Sequence, residues 1–135
     1  MARRKDKRGR LSVFKGRAAR LNKAIFRILA LKDPLTIYDI HKEAKAQKGL
    51  GHIRYASINK RVRSLEELGY VNKIGVKKTK AGFEASTYEL TTRACLAMLL
   101  NTINLDGFHR QIDETIALTI FADIIQAIIF IKRTE

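Results

Sequence analysis

The sequence predicts a mainly helical α+β protein with one small β-hairpin and a long, apolar C-terminal helix. Three observations lead to this fold class. Apolar residues recur at spacings of three and four along the first half of the chain, which is the period of helices that bury one face. Two short stretches rich in β-branched and aromatic residues follow, joined by a turn that ends in glycine. Residues 115–131 then contain thirteen apolar residues in seventeen.

The charge distribution divides the chain into a basic part and a neutral part. The net charge is +14 over 135 residues, and 46% of the residues are hydrophobic, enough for a folded domain with a core. Residues 1–20 hold nine Lys and Arg against one acid, residues 21–90 hold fourteen against seven, and residues 91–135 hold four against five. This indicates a polyanion-binding part and a separate part with another role. The alternative is a lysine-rich, solvated surface, and the abundance of Ile and Lys suggests a thermophilic, archaeal origin.

The N-terminal segment, residues 1–17, mixes Arg and Lys with Gly and Ser and shows no apolar period, which predicts a basic, disordered arm. It lacks the apolar stretch of a secretory signal. The single cysteine, Cys95, excludes a disulfide within the chain and a cysteine-rich zinc site. Cys95 lies on an apolar helical face, where we expect a buried thiol. We therefore expect a cytoplasmic protein.

The next segment predicts two helices. The first begins at Ala18 and ends at Asp33-Pro34, because the residue before proline avoids the helical region. The second begins at Thr36, with Asp39 three residues on in the arrangement of a capping box. The inward positions are Leu21, Ile25, Ile28 and Leu29 in the first helix, and Ile37, Ile40 and Ala44 in the second.

A third helix is predicted from about Arg54 to Leu68, and a hairpin follows it. The inward positions of this helix are Ile58, Val62, Leu65 and Leu68. Gly69 fits the left-handed position after a helix, with Tyr70 folding back onto Leu65 as in a Schellman cap. Residues 70–78 and 83–90 are the predicted strands, and Thr79-Lys80-Ala81-Gly82 is the turn between them.

The stretch SINKRVRSLEELGYVNKIG, followed by a lysine-rich turn and STYELTTRA, resembles the third helix, wing and next helix of winged helix-turn-helix regulators of the MarR and PadR type. The resemblance covers residues 18–94, and its most characteristic segment is LEELGYV, residues 65–71. It implies that the third helix enters the major groove of DNA. It also implies that the hairpin wing touches the flanking backbone or minor groove.

Side-chain chemistry agrees with that placement. Arg can bridge guanine O6 and N7 and Asn can bridge adenine N6 and N7, whereas lysines on a ribbon supply phosphate contacts. The residues predicted to contact or approach bases are Tyr55, Ser57, Asn59, Lys60 and Arg63. Those predicted to contact phosphates are Lys73, Lys77, Lys78 and Lys80 in the wing, with Arg3, Arg4, Arg8 and Arg10 in the arm. Ser57 could instead cap a late helix start, Tyr55 could only pack, and the wing lysines could form a solvated tip. Arg61 falls near the inward face and is interpreted as an edge charge.

Residues 92–135 are predicted to form a helical hairpin for dimerisation, beside a DNA-binding domain at residues 18–91. It comprises a helix capped by Thr91 or Thr92, a loop over residues 101–107, and a last helix from about Phe108 to Lys132. That helix is apolar nearly all round, so it must be buried on more than one side. The row predicted to pack on a second copy is Ile112, Ile116, Ile120, Ile124, Ile128 and Ile131.

Two other roles for the last helix rank below the dimer. It could be a core helix of one chain. It could also be a membrane anchor, but its seventeen-residue apolar stretch is shorter than the ~20 residues that a span needs. Asp123 in its middle would add about 2.5–3.5 kcal/mol to the cost of insertion.

Catalysis finds little support in the sequence. His41, His52 and His109 are far apart and none has a metal-ligand spacing, and the adjacent Asp113 and Glu114 would diverge on a helix. We expect no enzyme activity, cofactor, metal or small-molecule ligand. The predicted function is a dimeric, sequence-preferring DNA-binding protein that regulates transcription. The alternatives are a basic RNA-binding, ribosome-associated protein and a chromatin protein without sequence preference.

Overall fold

The computed structural model of the chain describes residues 11–134, and over that range it consists of six α-helices and a three-stranded sheet. In chain order the elements are α1 (Ala19–Lys32), β1 (Leu35–Thr36), α2 (Ile37–Lys45), α3 (Tyr55–Glu67), β2 (Val71–Lys78), β3 (Glu84–Leu90), α4 (Thr92–Thr102), α5 (Leu105–Gln111) and α6 (Glu114–Thr134). The predicted α+β fold class is confirmed. The chain divides after Thr102 into two compact units.

Helices α1, α2 and α3 pack around one apolar core in the first unit. The residues of these helices without accessible surface are Ile25 and Leu29 of α1, Ile40 and Ala44 of α2, and Ile58 and Val62 of α3. Each lies at the helical spacing that the sequence indicates, so the inward faces of the three helices agree with the predicted pattern. Leu68 is the exception and is 51% exposed, because α3 ends at Glu67 and Leu68 is its C-cap.

The segment before α1 contributes to this core, which the sequence does not predict. Ser12–Phe14 form a short 3-10 helix, and Val13 and Phe14 are buried. The Phe14 ring meets Phe26 of α1 edge-on, with 5.5 Å between centroids, and Asn22 Nδ2 donates to the Val13 carbonyl over 2.9 Å. The segment predicted as a disordered arm is therefore ordered at residues 12–14. Its arginines Arg3, Arg4, Arg8 and Arg10 lie outside the described residues.

The predicted helix caps are present at both ends of the helix-turn-helix. Thr36 Oγ1 accepts the Asp39 backbone N–H over 3.1 Å at the start of α2. After α3, Gly69 has a φ of 81°, and the Tyr70 N–H donates to the Leu65 carbonyl over 2.8 Å. This is the predicted Schellman cap, and it directs the chain straight from α3 into β2.

The sheet is antiparallel with strand order β1-β3-β2. Strands β2 and β3 form the predicted hairpin, and its turn is closed by the Thr79 N–H donating to the Phe83 carbonyl over 2.7 Å. The pairing register shifts between Lys73 and Gly75. Ile74 is therefore a bulge, which explains why apolar and polar residues do not alternate regularly along β2.

Strand β1 is not predicted by the sequence. It has two residues and exists through its pairing with β3, in which Leu35 lies opposite Tyr88 and Thr36 opposite Thr87. A strand this short has no periodicity of its own, so only the neighbouring strand defines it.

Helix α4 begins with a cap that also joins it to the end of α3. Thr91 Oγ1 accepts the Ala94 N–H over 3.2 Å, and the Thr91 hydroxyl donates to the Gly69 carbonyl over 2.6 Å. Ala94 and Ala97 are buried, so α4 belongs to the first unit and the division lies one helix later than the predicted boundary. The expectation of a buried thiol is wrong: Cys95 is exposed, because it is turned about 100° from the inward-facing Ala94.

The second unit consists of α5 and α6, and no residue of these two helices is buried. The prediction of one continuous last helix is wrong, because Asp113 Oδ1 accepts the Ile116 N–H over 2.8 Å and starts a new helix there. The apolar pattern runs across this break and conceals it. The predicted loop over residues 101–107 is also shorter, because Asn104 caps α5 by accepting the Gly107 N–H over 3.2 Å.

Candidate nucleic-acid interface

The outer face of α3 carries a row of polar side chains opposite the buried Ile58 and Val62. Lys60 and Arg63 are exposed and Asn59 is half-buried. Arg63 Nε donates to Asn59 Oδ1 over 3.2 Å, which holds two predicted base-contacting side chains next to each other, one helical turn apart. This bond occupies Nε and not the two terminal guanidinium nitrogens. Those two nitrogens form the fork that can bridge guanine O6 and N7.

Tyr55 and Ser57 lie in the first turn of α3. Tyr55 is 47% exposed, and its ring meets His41 of α2 edge-on at 5.8 Å between centroids. It therefore packs along one edge and exposes the other. Ser57 is half-buried and does not cap a late helix start, because α3 begins at Tyr55 with Arg54 as its N-cap. Arg54 is an exposed cation beside Tyr55, and the sequence marked it only as a helix boundary.

The four wing lysines are all exposed but do not share one face of the hairpin. Lys77 and Lys78 are neighbours in β2, so their side chains leave opposite faces of the ribbon. Lys80 lies in the turn at the tip. Lys73 lies opposite Tyr88, before the bulge and nearer to the core. The wing therefore presents cations on both faces and at its tip, rather than along a single stripe.

Lys77 contacts α2, which no sequence pattern indicates. Its Nζ lies 3.5 Å from Asp39 Oδ2 in the first turn of α2, and the two side chains are 64% and 27% exposed. An ion pair with this exposure adds little to stability. It nevertheless places the wing beside the N-terminal end of α2, and it engages one of the cations that the sequence assigns to phosphate.

Tyr88 joins the wing to α3 from the inside. Burial raises the pKa of its phenol above the ordinary value of 10.0, the Glu66 carboxylate raises it further, and the Arg63 guanidinium opposes this rise. Tyr88 therefore lies close enough to α3 to interact with charges on the helix that carries the outer polar row. Its phenol stays protonated and neutral at physiological pH.

Within residues 11–134, no group of three or more His, Cys, Asp and Glu side chains is placed to hold a metal ion. His41 Nε2 is hydrogen-bonded to the Ile53 carbonyl over 2.9 Å. The imidazole thus connects α2 to the turn before α3 and has a structural role.

Three helices with a polar outer face on the third, followed by a two-stranded hairpin beside that helix, define a winged helix-turn-helix domain. The predicted resemblance is confirmed at the level of the fold. Among solved structures, the chain is similar to TA0346 from Thermoplasma acidophilum, which is described as a candidate transcriptional regulator. The two chains are 18% identical and have a TM-score of 0.46, and the similarity covers 77% of this chain and 91% of TA0346. It is also similar to FabT from Streptococcus pneumoniae, solved in complex with DNA, with 12% identity, a TM-score of 0.42, and coverage of 91% and 84%. No protein-family model and no curated protein matches the sequence.

Helix α6 exposes a second candidate surface, which is apolar. At 3.6 residues per turn its apolar side chains cover roughly two thirds of the helix circumference. One stripe holds five of the predicted isoleucines, Ile116, Ile120, Ile124, Ile128 and Ile131, and a second holds Leu118, Phe121, Ile125 and Ile129. Ile112 lies at the break before α6 and does not belong to the row. The remaining strip holds the polar residues Thr115, Thr119, Asp123 and Gln126, with Phe130 among them.

By length and composition alone, α6 could cross a membrane: it has 21 residues, and an 18-residue window within it has a mean hydropathy of 1.9. The four residues of α6 outside the seventeen-residue apolar stretch are Glu114, Lys132, Arg133 and Thr134, so the helix does not lengthen that stretch and the argument against an anchor from length stands. The argument from Asp123 remains, because this carboxylate lies near the middle of the helix.

Proposed function

We propose that this protein binds double-stranded DNA with a preference for sequence and regulates transcription in the cytoplasm. The observation that carries the proposal is the Asn59–Arg63 pair on the outer face of α3. These are the two side-chain types that make paired hydrogen bonds to adenine and guanine in the major groove. The hydrogen bond between them fixes their relative position, so less side-chain freedom is lost when they meet a base pair.

The wing supplies the contacts that do not depend on sequence. Lys78 and Lys80 are exposed near and at the tip of the hairpin, where a duplex lying along α3 would present its phosphates. Lys60 and Tyr55 flank the Asn59–Arg63 pair and complete the surface. The basic residues of the N-terminal segment add further phosphate contacts to this arrangement.

Replacement of Arg63 tests the assignment of base contacts. Arg63→Ala is expected to lower discrimination between a selected site and random duplex by about 1–3 kcal/mol. Arg61→Ala is the matched control, because this replacement removes the same charge from the same helix. Arg61 is half-buried and is not among the residues predicted to contact bases. A site is first obtained by selection from a random duplex pool, and binding is then measured by fluorescence anisotropy. Equal losses on selected and random duplexes for Arg63→Ala would contradict a role in base recognition.

The same assay separates DNA from RNA as the partner. Binding to a DNA duplex should persist to higher salt than binding to a matched RNA duplex, because the deep, narrow major groove of RNA does not admit α3. Equal or tighter binding to RNA would remove the DNA proposal and favour the ribosome-associated alternative. Binding to DNA without any selected site would favour the chromatin alternative.

We also propose that α6 mediates a homodimer. Both apolar stripes of α6 are exposed, with Ile124 at 52% and Phe121 at 66%. An apolar surface of this extent on a soluble protein marks an interaction site. One partner helix would cover only one of the two stripes. The dimer proposed here therefore buries α6 in a bundle to which both copies contribute helices. A two-fold dimer would present two copies of α3 to half-sites about one turn of DNA apart.

Sedimentation of the purified chain without detergent tests the dimer. Ile124→Glu places a charge in the middle of one apolar stripe and is expected to convert a dimer into a monomer, because burial of an unpaired carboxylate costs several kcal/mol. Gln126→Glu is the control, since Gln126 lies in the polar strip. A wild-type chain that stays monomeric, or that floats with lipid vesicles, would contradict the dimer, and flotation would favour the membrane anchor.

A further inference from the structure

A basic cleft lies at the C-terminal end of α2, between α1 and the turn that leads to α3. Its volume is about 220 Å³. Four of the seven residues that line it are basic and none is acidic; the other three are Ala24, Gln47 and Leu50. The basic residues are Arg20, Lys23, Arg27 and Lys48. Like charges gathered in one cleft repel each other, so an anion bound there would relieve an unfavourable interaction.

Arg20 is held in place by the glycine turn. Its Nη2 donates to the Lys48 carbonyl over 3.4 Å. Gly49 has a φ of 83°, and a Cβ at this position would overlap Arg20 Nη2. The left-handed backbone at position 49 favours glycine, and a side chain there would have to displace the end of Arg20. The hydrogen bond orients the exposed Arg20 side chain toward the turn.

The other two basic side chains of α1 follow Arg20 along one stripe of the helix. Lys23 and Arg27 lie three and seven residues further on, a spacing that keeps them on the same face. Lys23 Nζ lies 6.0 Å from the centroid of the Phe14 ring, at the outer limit of a cation–π contact. From Arg20 to Arg27 the row extends about 10 Å along the helix.

The cleft is separate from the surface formed by α3 and the wing. The wing meets α2 at its N-terminal end, through Lys77 and Asp39. The cleft lies beyond the C-terminal end of α2, at Gln47 and Lys48. The nine residues of α2 place these two regions about 13 Å apart. The cationic side chains of the cleft are therefore not explained by the contacts assigned to α3 and the wing.

We propose that this cleft binds phosphate groups of a nucleic-acid backbone, as a second contact surface in addition to α3 and the wing. The proposal rests on the proposed function for the identity of the partner. Two features favour a backbone over a free anion. The row on α1 is long enough to meet more than one phosphate, since phosphates recur every ~3.4 Å of rise along a strand. Residues 1–10 also hold six Lys and Arg against one acid, and they join the fold at the segment that packs against α1.

Chemical labelling of lysines tests where nucleic acid lies on the full-length protein. Acetylation followed by mass spectrometry is expected to show Lys23 and Lys48 protected by a DNA duplex, together with Lys78 and Lys80, while Lys132 stays reactive. Protection of the wing lysines alone would overturn the cleft and leave the proposed function standing. Protection of none of them would overturn both. Protection of Lys23 and Lys48 by inorganic phosphate, at the phosphate concentration of the duplex, would make the site one for a free anion and overturn the backbone as its occupant.

The salt dependence of binding provides an independent measurement. Arg27→Gln with Lys48→Gln removes two exposed charges from the cleft and is expected to lower the slope of log affinity against log salt by about 1–2, since each phosphate contact contributes about 0.9. Sequence discrimination is expected to remain unchanged. The control is Arg110→Gln with Lys132→Gln, which removes two exposed charges from α5 and α6. Equal slopes in the two double variants would overturn the proposal, and melting temperatures establish that both variants are folded.

Discussion

Replacement of Gly69 by alanine tests the joint between α3 and the wing. Gly69 has a φ of 81°, and a left-handed backbone costs an alanine about 1–2 kcal/mol relative to glycine. The added Cβ would also lie 2.7 Å from Arg93 Nη1 and 3.3 Å from Arg93 Cζ. Arg93 must then move, which breaks its 2.8 Å hydrogen bond to the Leu68 carbonyl, worth about 0.5–1.5 kcal/mol. We expect Gly69→Ala to destabilise the protein by about 2–3 kcal/mol.

Gly82 at the tip of the wing provides the matched control. Its φ is 83°, but a Cβ there would meet no atom within 4 Å. Gly82→Ala therefore carries only the backbone cost of about 1–2 kcal/mol. The effect of the extra methyl group on the unfolded chain is the same at both positions and cancels in the comparison. The difference between the two variants isolates the displacement of Arg93, about 0.5–1.5 kcal/mol.

Urea denaturation followed by circular dichroism, at one protein concentration, measures the free energies of unfolding. A double-mutant cycle completes the test: in an Arg93→Ala background, Gly69→Ala should cost no more than Gly82→Ala does. A cost for Gly69→Ala that does not change in that background would refute the role of Arg93. Negligible losses for both glycine variants would refute the left-handed turns themselves.

Two further predictions concern the wing. Lys78→Gln is expected to lower the slope of log DNA affinity against log salt by about 0.9. Lys77→Gln is expected to lower this slope by less, because Lys77 is paired with Asp39. Anisotropy at several salt concentrations measures both slopes, and equal slopes for the two variants would count against the ion pair. The wild-type protein is expected to lose stability at high pH as Tyr88 ionises, and Tyr88→Phe is expected to abolish this loss. The folded-state pKa of Tyr88 is raised, so its contribution is complete below about pH 10 and is lost as the pH rises through the folded-state value. Urea denaturation at about pH 9 and about pH 11 compares the two proteins, and an equal loss in wild type and variant would contradict the raised pKa.

The features that the sequence predicted correctly depend on residues close together in the chain. The Schellman cap at Gly69 needs only residues 65–70, and the Thr36 cap needs only Asp39. The inward faces of α1 to α3 follow from helical periodicity, which a single segment carries. The exposed position of Arg63, with Asn59 on its flank, follows from the same wheel, and the role of both side chains in base contacts stays a prediction.

The features that the sequence did not predict depend on distant partners or on one polar side chain. β1 requires β3, more than fifty residues further on, to define it. Val13 and Phe14 have a core to enter only once α1 is in place, and basic neighbours mask them in the sequence. Asp113 ends an apolar pattern that otherwise continues, and only its capping hydrogen bond reveals the break. The basic cleft joins α1 to a turn almost thirty residues away, so no local pattern contains it.

The contacts between the start of α4 and the end of α3 restrict how α3 can move. The Thr91 hydroxyl donates to the Gly69 carbonyl over 2.6 Å, the Thr91 N–H to the Tyr70 carbonyl over 3.1 Å, and Arg93 to the Leu68 carbonyl over 2.8 Å. A change in the angle between α3 and α4 must break these three hydrogen bonds, at about 1 kcal/mol each. A rotation that carries both helices together breaks none of them. A displacement of α4 is therefore transmitted most readily as a rigid movement of α3 with α4, and not as a bend between them.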